Sequence, residues 1–496
     1  MFAELTVLAL AGMAQPPHPA DPDTRAWWAT TVVLSNDAME GRDVGSVAYS
    51  RAARLVARSL AAAGLRPAGE NGSWFQSVAM REVIVPAARF TADDVPIRFL
   101  HYITVVPFAG MPTSVDAPIV YRGYCRPDAL GDVQGKVVIC HGTHRTGLPN
   151  DEQRRSAVRD AGAAAYVAIA DPGFTVEPPR WPFAYARTVW RADVATDAEP
   201  ILRMTLNAAA LAPLIAGSGY DAAALVAAGA KGEALPSFDA PRRLHATFTV
   251  RQRDFISENV LGLLPGTDVT KRGETLVLSA HLDGYGHGEP VHGDGLYNGT
   301  LDDAAYVALL IRLAERRYGQ GYRRPVLFAA FTGEEKGLLG ARYYVAHPTV
   351  PLAHIAADIN LDQLRPIFPL DLLTVHALGD TTLGDMVSEV AAKRGIATQT
   401  DPEPERNLLR RADHWPFLQA GVPATGFVFG YRPGTESERI YRRWYEVGYH
   451  RPRDDLAQPI DWKAAADFNA FFYALVDRVA NGDQAPAWKP GSTLKP

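Results

Sequence analysis

The sequence predicts an α/β protein: a mixed, largely parallel sheet flanked by helices, with a smaller β-rich domain inserted into it. Three observations carry this prediction. Apolar runs at 275–280, 326–331 and 355–361 read as strands buried on both faces. After the first run, Val307, Leu310, Ile311 and Ala314 recur at helical spacing in a segment reaching about Tyr318. Between about Pro112 and Leu244 the texture changes to short strand-like runs broken by Gly and Pro.

Each apolar run ends in groups able to bind a cation or move a proton, and in an open α/β sheet such groups collect beyond the strand ends. His281 follows the first run, and Asp283 lies two residues on, on the same side of an extended chain. This imidazole either ligates a divalent metal, with Asp283 orienting its second N–H, or is a hydrogen-bonded histidine at a sheet edge. Asp302 and Asp303 open the helix, where the helix dipole favours carboxylates in any case. Glu334 and Glu335 follow the second run; neighbouring acids there are costly unless one is neutralised or both meet a cation. Asp362 ends the third run, and Tyr449-His450, with Asp454-Asp455 behind it, forms a fourth candidate strand end. His281, Asp302, Glu335, Asp362 and His450 make a mixed nitrogen and oxygen set of the kind zinc takes. If Asp302 bridges, each of two metals receives one His, one terminal carboxylate and the shared one, and Glu334 is left as a general base.

The order and character of these motifs resemble the M28 zinc aminopeptidases. The matching pieces are His281-Leu-Asp283, Gly299-Thr-Leu-Asp302-Asp303, Glu334-Glu335-Lys-Gly337-Leu-Leu-Gly340, Asn360-Leu-Asp362 and Tyr449-His450. Asn259-Val-Leu-Gly, the segment Met39 to Gly45, and Arg411-Ala-Asp413-His414 through Gly421-Val-Pro423-Ala extend the likeness. The resemblance implies two Zn2+ per chain, held by His281, Asp302, Glu335, Asp362 and His450 with Asp302 bridging. It implies Glu334 as general base, Asp283 as support for His281, Tyr449 as the hydroxyl that steadies the tetrahedral intermediate, and a cis Asp302–Asp303 peptide. Asp413 and His414 become structural or pocket residues, since His450 fills the last ligand position. Ala305-Tyr306, Ala341 and Gln363 depart from the family pattern and bear on the pocket walls rather than on the metal set.

The chain has 496 residues, too long for one ordinary domain, and a net charge of −5, which implies no nucleic-acid partner. Arg410-Arg411 and Arg442-Arg443 are short basic pairs, solvated or facing substrate. No apolar run reaches the roughly 18 residues of a membrane span. The two cysteines, Cys125 and Cys140, lie far from the metal motifs and are either disulfide-bonded or free buried thiols.

Residues 1–20 hold a short apolar run, Leu5 to Ala14, before Gln-Pro-Pro-His-Pro. This resembles a secretory signal without the usual basic start, so export to the periplasm or medium is expected. Residues 21–111 form the first part of the catalytic domain: a helix over Ser50–Ala63, stopped by Gly64 and Pro67, then a strand over 74–78. Residues 112–245 resemble a protease-associated (PA) domain, with strands at 117–121, about 136–140 and 163–170 and a helix at 157–162. Its expected role is to cover the cleft and select substrates. The catalytic domain resumes over 246–482, closing with a helix over Trp462–Ala480, and 483–496 is a loosely held tail. His287, His292 and Asp294, in the Gly-rich loop 284–298, are expected at the cleft mouth rather than on a metal.

These readings converge on an exopeptidase that hydrolyses N-terminal residues from peptides. The rivals are a carboxypeptidase or dipeptidase of the same fold, which would use arginines such as Arg410, Arg411, Arg442 and Arg443 to hold a carboxylate. A glutaminyl cyclase or a catalytically dead binding ectodomain fits less well, because all five ligand positions are filled. No Gly-x-Ser-x-Gly elbow supports a serine hydrolase. Oligomeric state and side-chain preference are not legible.

Overall fold

The computed structural model describes residues 19, 21–195, 200–362 and 364–496. The apolar run expected as an export signal and Gln363 lie outside the described residues.

Two long strands, Phe75–Ala92 and Phe238–Leu264, pair antiparallel along most of their length, with Val78 opposite Ser257 and Ala92 opposite Leu244. Only residues 74–78 of the first were expected as strand. The exposed charges Arg81, which is opposite Asp254, and Arg89, together with an exposed partner stretch Arg251 to Asp254, hide the rest from an apolar pattern.

The long pair joins two blocks of parallel strands into one sheet. On one side Val326–Phe331 pairs antiparallel with Phe238–Leu264, and Thr275–His281, Ile355–Asn360 and Ala424–Thr425 continue parallel. On the other side Ser114–Tyr121 pairs antiparallel with the same long strand. Val137–His141, Ala165–Ile169 and Leu202–Leu206 then run parallel, and Ile103–Val106 closes the edge antiparallel. The strand Phe238–Leu264 passes residues 245 and 246 without a break.

The first block explains its own sequence pattern. Leu276, Leu278, Ala280, Val326, Phe328 and Ala330 pack on one side against the helices Val47–Ala62, Ala305–Arg316 and Trp462–Ala480. Val277, Leu327, Ala329 and Phe331 pack on the other side with Tyr344, Phe417 and Leu418. Both faces are covered, so these strands read as continuous apolar runs. Tyr306 is buried edge-on to Phe468 at 6.0 Å, and Ala341 is buried in the second cluster. Both of these departures from the family pattern fill core.

Several local expectations are corrected. The helix placed at 157–162 is Asp151–Asp160, begun by a capping box between Asn150 and Gln153. The loop 284–298 contains a hairpin, Gly286–Val291 with Asp294–Tyr297. Tyr449-His450 follows a helix, Glu436–Val447, not a strand. Cys125 and Cys140 are buried and joined by a disulfide. The tail is tied down: Trp488 Nε1 donates to Gly421 O at 2.7 Å, Lys489 pairs with Asp385 at 2.6 Å, and Trp488 and Leu494 pack on the apolar core.

Two consequences are measurable. Trp488→Ala removes the anchor of the tail and lowers unfolding free energy by about 2–3 kcal/mol in urea titrations. His376 and His414 are buried with ring centroids 4.8 Å apart, and burial holds the His376 pKa down to about 4. The unfolded imidazole titrates near 6.5, so between these values the unfolded chain binds more protons. The contribution of His376 is therefore complete above pH ~6.5 and is lost as pH falls toward 4, by up to about 3 kcal/mol. The urea midpoint falls over that window in wild type, and His376→Gln flattens that part of the curve.

Candidate metal centre

The parallel strands leave the sheet at one edge. His281 is opposite Phe331, and Ser279 is opposite Asn360, so His281, the 332–338 loop and Asp362 emerge level with one another. Main-chain hydrogen bonds from Leu282 to Phe331 O (2.8 Å) and from Leu361 to Ser279 O (2.7 Å) continue this alignment past the strand ends.

Five side chains form two three-residue clusters that share Asp302: His281, Asp302 and Asp362, and Asp302, Glu335 and His450. His281 Nε2 lies 3.3 Å from Asp302 Oδ1 and 4.0 Å from Asp362 Oδ1. His450 Nε2 lies 3.5 Å from Asp302 Oδ2 and 3.2 Å from Glu335 Oε2. Each oxygen of Asp302 thus faces one imidazole. Glu334 belongs to neither cluster, and its Oε2 is 3.9 Å from His281 Nε2. Burial pushes the Glu334 carboxyl well above the usual range, with Asp362 and Glu335 adding to this against His281.

The donor set fits a pair of cations. Among the described residues His281 Nε2 and Asp302 Oδ2 are buried without a hydrogen-bond partner, and four carboxylates, Asp302, Glu334, Glu335 and Asp362, converge on two imidazoles. Buried like charge of this density is costly without compensation. Arg365 offsets part of it, with Nη2 3.3 Å from Asp302 Oδ2.

The backbone around Asp302 is held from several directions. Gly299 has φ +61°, and a Cβ there would lie 2.4 Å from Asp302 O, so only glycine fits. The Asp302–Asp303 peptide is cis. Asp454 accepts hydrogen bonds from the main-chain N–H of Leu301 (2.9 Å) and Asp302 (3.0 Å). Asp303 accepts from His281 N at 3.1 Å. Arg42, fully buried, donates to the carbonyls of Leu282, Leu34, Asn298 and Gly299 at 2.8–2.9 Å, tying the His281 and Asp302 loops together.

Orientation of the imidazoles differs from expectation in one respect. His281 Nδ1 hydrogen-bonds to the main-chain carbonyl of Asp283 at 3.0 Å, whereas the Asp283 carboxylate is 3.8 Å away. That carboxylate instead accepts from Glu334 N at 3.0 Å, and burial raises its pKa to about 6. Asp283 therefore aims both the first histidine and the Glu334 loop. Asn259 holds the same loop: its Oδ1 accepts from Thr332 N, and its Nδ2 donates to Gly340 O and Gln76 Oε1. His450 Nδ1 hydrogen-bonds to the Tyr285 hydroxyl at 2.9 Å, and the Tyr449 ring stacks on His450 at 3.7 Å.

Asp413 is buried nearby, but neither it nor His414 enters a cluster, and His414 packs on His376 instead. His287, His292 and Asp294 are exposed on the hairpin, outside both clusters. Of the four arginines singled out, Arg443 pairs with Glu446, Arg442 with Glu438, and Arg410 lies over Trp415. Arg411 alone of the four meets the site, donating to the Tyr449 hydroxyl at 3.0 Å. Arg42, Arg365 and Tyr285 were missed as site residues, and Asp454 was noted without a role. A cleft of about 630 Å3 opens beside His450, Tyr285 and Arg411, with Glu177, Arg180 and Arg154 on its other wall.

The fold matches an aminopeptidase from Aneurinibacillus sp. strain AM-1 with a TM-score of 0.63, at 16% identity over 95% of this chain and 96% of that one. It matches a zinc aminopeptidase from Bacillus subtilis with a TM-score of 0.60, at 18% identity over 95% and 98%. Leupeptin-inactivating enzyme 1 of Streptomyces exfoliatus is 25% identical over 243 residues, 46% of this chain and 51% of that protein. A probable zinc metalloprotease of Pyrenophora teres f. teres is 30% identical over 207 residues, 40% and 43% of the two chains. The chain thus spans about half the length of these curated relatives. The model of peptidase family M28 matches residues 259–476, which contain all five clustered side chains and Glu334. Over this segment, a little under half of the chain, the sequence is similar to peptidase family M28.

Proposed function

We propose that the protein is a co-catalytic di-zinc aminopeptidase that hydrolyses N-terminal residues from peptides. The observation that carries this reading is the pair of donor clusters sharing Asp302, with Glu334 unshared beside them. His281, Asp302 and Asp362 would hold one ion, and Asp302, Glu335 and His450 the second; mixed imidazole and carboxylate donors suit zinc. The B. subtilis neighbour is a zinc aminopeptidase and the P. teres relative a probable zinc metalloprotease, which supports the choice of metal. Two cations bound there would supply Lewis-acid polarisation of the scissile carbonyl and make hydroxide accessible near neutral pH.

The chain's own groups do the rest. Glu334 accepts a proton from the attacking water and returns it to the leaving amine; its burial favours a carboxyl able to work in both directions. The hydrogen bond from Glu334 N to Asp283 fixes where that carboxyl starts from. The Tyr449 hydroxyl donates to the carbonyl oxygen as negative charge develops on it. Of the four arginines that the carboxypeptidase alternative would use, Arg410, Arg442 and Arg443 are engaged away from the clusters, and Arg411 is paired with Glu177. Within the same reading, 112–245 is a protease-associated insert between catalytic segments 21–111 and 246–482, and the Cys125–Cys140 disulfide favours export to an oxidising compartment. Among the described residues no helix is long and apolar enough to cross a membrane.

This reading predicts that the protein as isolated cleaves leucine p-nitroanilide and its aminoacyl analogues, and that cleavage is lost on chelation and restored by zinc at two ions per chain. N-acetylated substrates are not cleaved. Glu334→Gln keeps its zinc and loses about 10²–10⁴-fold in kcat; near-wild-type turnover in that variant overturns the base assignment. Arg42→Lys keeps the charge but cannot serve four carbonyls. It lowers unfolding free energy by about 2–4 kcal/mol in urea and weakens zinc retention.

A further inference from the structure

Glu177 lies outside the segment matched by the peptidase family, in the stretch between the strands Ala165–Ile169 and Ala186–Arg191. It nevertheless reaches the candidate centre. Its Oε2 accepts from Arg411 Nη1 at 2.7 Å and its Oε1 from Arg411 Nη2 at 3.1 Å. Arg180 approaches the same carboxylate at 3.2 Å and Arg406 at 3.4 Å. The Glu177 side chain is 10% exposed. Burial pushes its carboxyl up, but the hydrogen bond and charge of Arg411, joined by Arg180 and Arg406, hold it far below the usual range.

The contact with Arg411 is two-pronged, which fixes the plane of the guanidinium as well as its position. The Nη2 that meets Glu177 also donates to the Tyr449 hydroxyl at 3.0 Å. A guanidinium has no acceptor, so the tyrosine oxygen is the acceptor in this contact. The single hydroxyl proton is then left to point elsewhere. Tyr449 is 3% exposed, stacked on His450, with Arg180 lying 4.7 Å from its ring centre. An unheld arginine would sample many rotamers and lose this register.

We propose that Glu177 is a positioning residue for the peptidase reaction: through Arg411 it orients the Tyr449 hydroxyl toward the substrate carbonyl, so that a residue outside the peptidase segment completes the site. The proposal rests on the aminopeptidase reading above.

The test compares zinc-loaded wild type, Glu177→Ala, Glu177→Gln, Tyr449→Phe and the double variants on leucine p-nitroanilide. It also measures zinc content, melting temperature and calorimetric binding of a leucine phosphonate, a mimic of the tetrahedral species. Glu177→Ala lowers kcat by about 10- to 100-fold, as misplacement of a reacting group does. KM, zinc content and melting temperature stay near wild type, and phosphonate affinity falls with kcat. Glu177→Gln, which keeps an acceptor, loses less. In the Tyr449→Phe background the further loss from either Glu177 variant is under about threefold, because the hydroxyl it orients is gone. Full kcat in Glu177→Ala, or losses that multiply in the double variant, overturns the proposal. If Glu177→Ala does not fold, Glu177→Gln decides by the same double-variant comparison. A wild type inactive with zinc on every free-amine substrate overturns the aminopeptidase reading and this proposal with it.

Discussion

Asp302 lies between His281 and His450, 3.3 and 3.5 Å from their Nε2 atoms, and is itself buried. A carboxylate in that position, with Glu334, Glu335 and Asp362 close by, is an electrostatic liability that the fold must hold together. The means are distributed. Asp454 fixes the main chain at Leu301 and Asp302, Arg365 meets the carboxylate, and Arg42 binds the carbonyls of the flanking loops. Burial opposes ionisation of Asp302, but the charge of Arg365 and the hydrogen bond from His281 hold its carboxyl below the usual range. The shared donor is thus ionised and aimed by the chain itself.

The reason these groups meet at all is strand geometry. Three parallel strands covered on both faces end level, so residues far apart in sequence leave the sheet within a few ångströms of one another. This is also why the candidate set was legible from sequence. His281, Glu334, Glu335 and Asp362 each follow an apolar run whose end marks the edge of the sheet, and chemistry-bearing residues placed there stand out against it. His450 was legible only through the motif it shares with Tyr449, because it follows a helix and no strand announces it.

What was not legible has a common cause. Arg42 acts on residues some 240–257 positions away, Arg365 reaches back 64, and Tyr285 supports a histidine 165 residues on. None has a local pattern, and a buried arginine looks the same in sequence as a solvated one. The long strands escaped for a different reason: their middle carries exposed charges that break the apolar alternation, yet main-chain pairing continues through them. The tail was misjudged because its composition suggests a loose end, while one indole N–H and two apolar side chains suffice to fasten it.

The long strand pair also bears on how the cleft is built. Phe238–Leu264 carries Val260 against Ala330 of the peptidase sheet at one end and Leu244 against Ala117 of the other block. The walls of the cleft are therefore joined by a ladder of main-chain hydrogen bonds and not by a flexible linker. The register of that ladder shifts between Thr249 and Arg251 against the first long strand and between Asp239 and Arg243 against Ser114–Tyr121. With the walls set this way, side-chain contacts across the cleft can be close: Glu177 meets Arg411, Arg451 donates to Pro182 O at 2.6 Å, and Lys336, next to Glu335, donates to the Tyr185 hydroxyl at 2.6 Å. Each of these ties the loop 171–185 to a residue beside a candidate ligand or to Tyr449. Specificity and positioning can then be tuned in that loop without altering the five donors, whose placement is fixed from the opposite side by Arg42, Asp454 and the sheet edge.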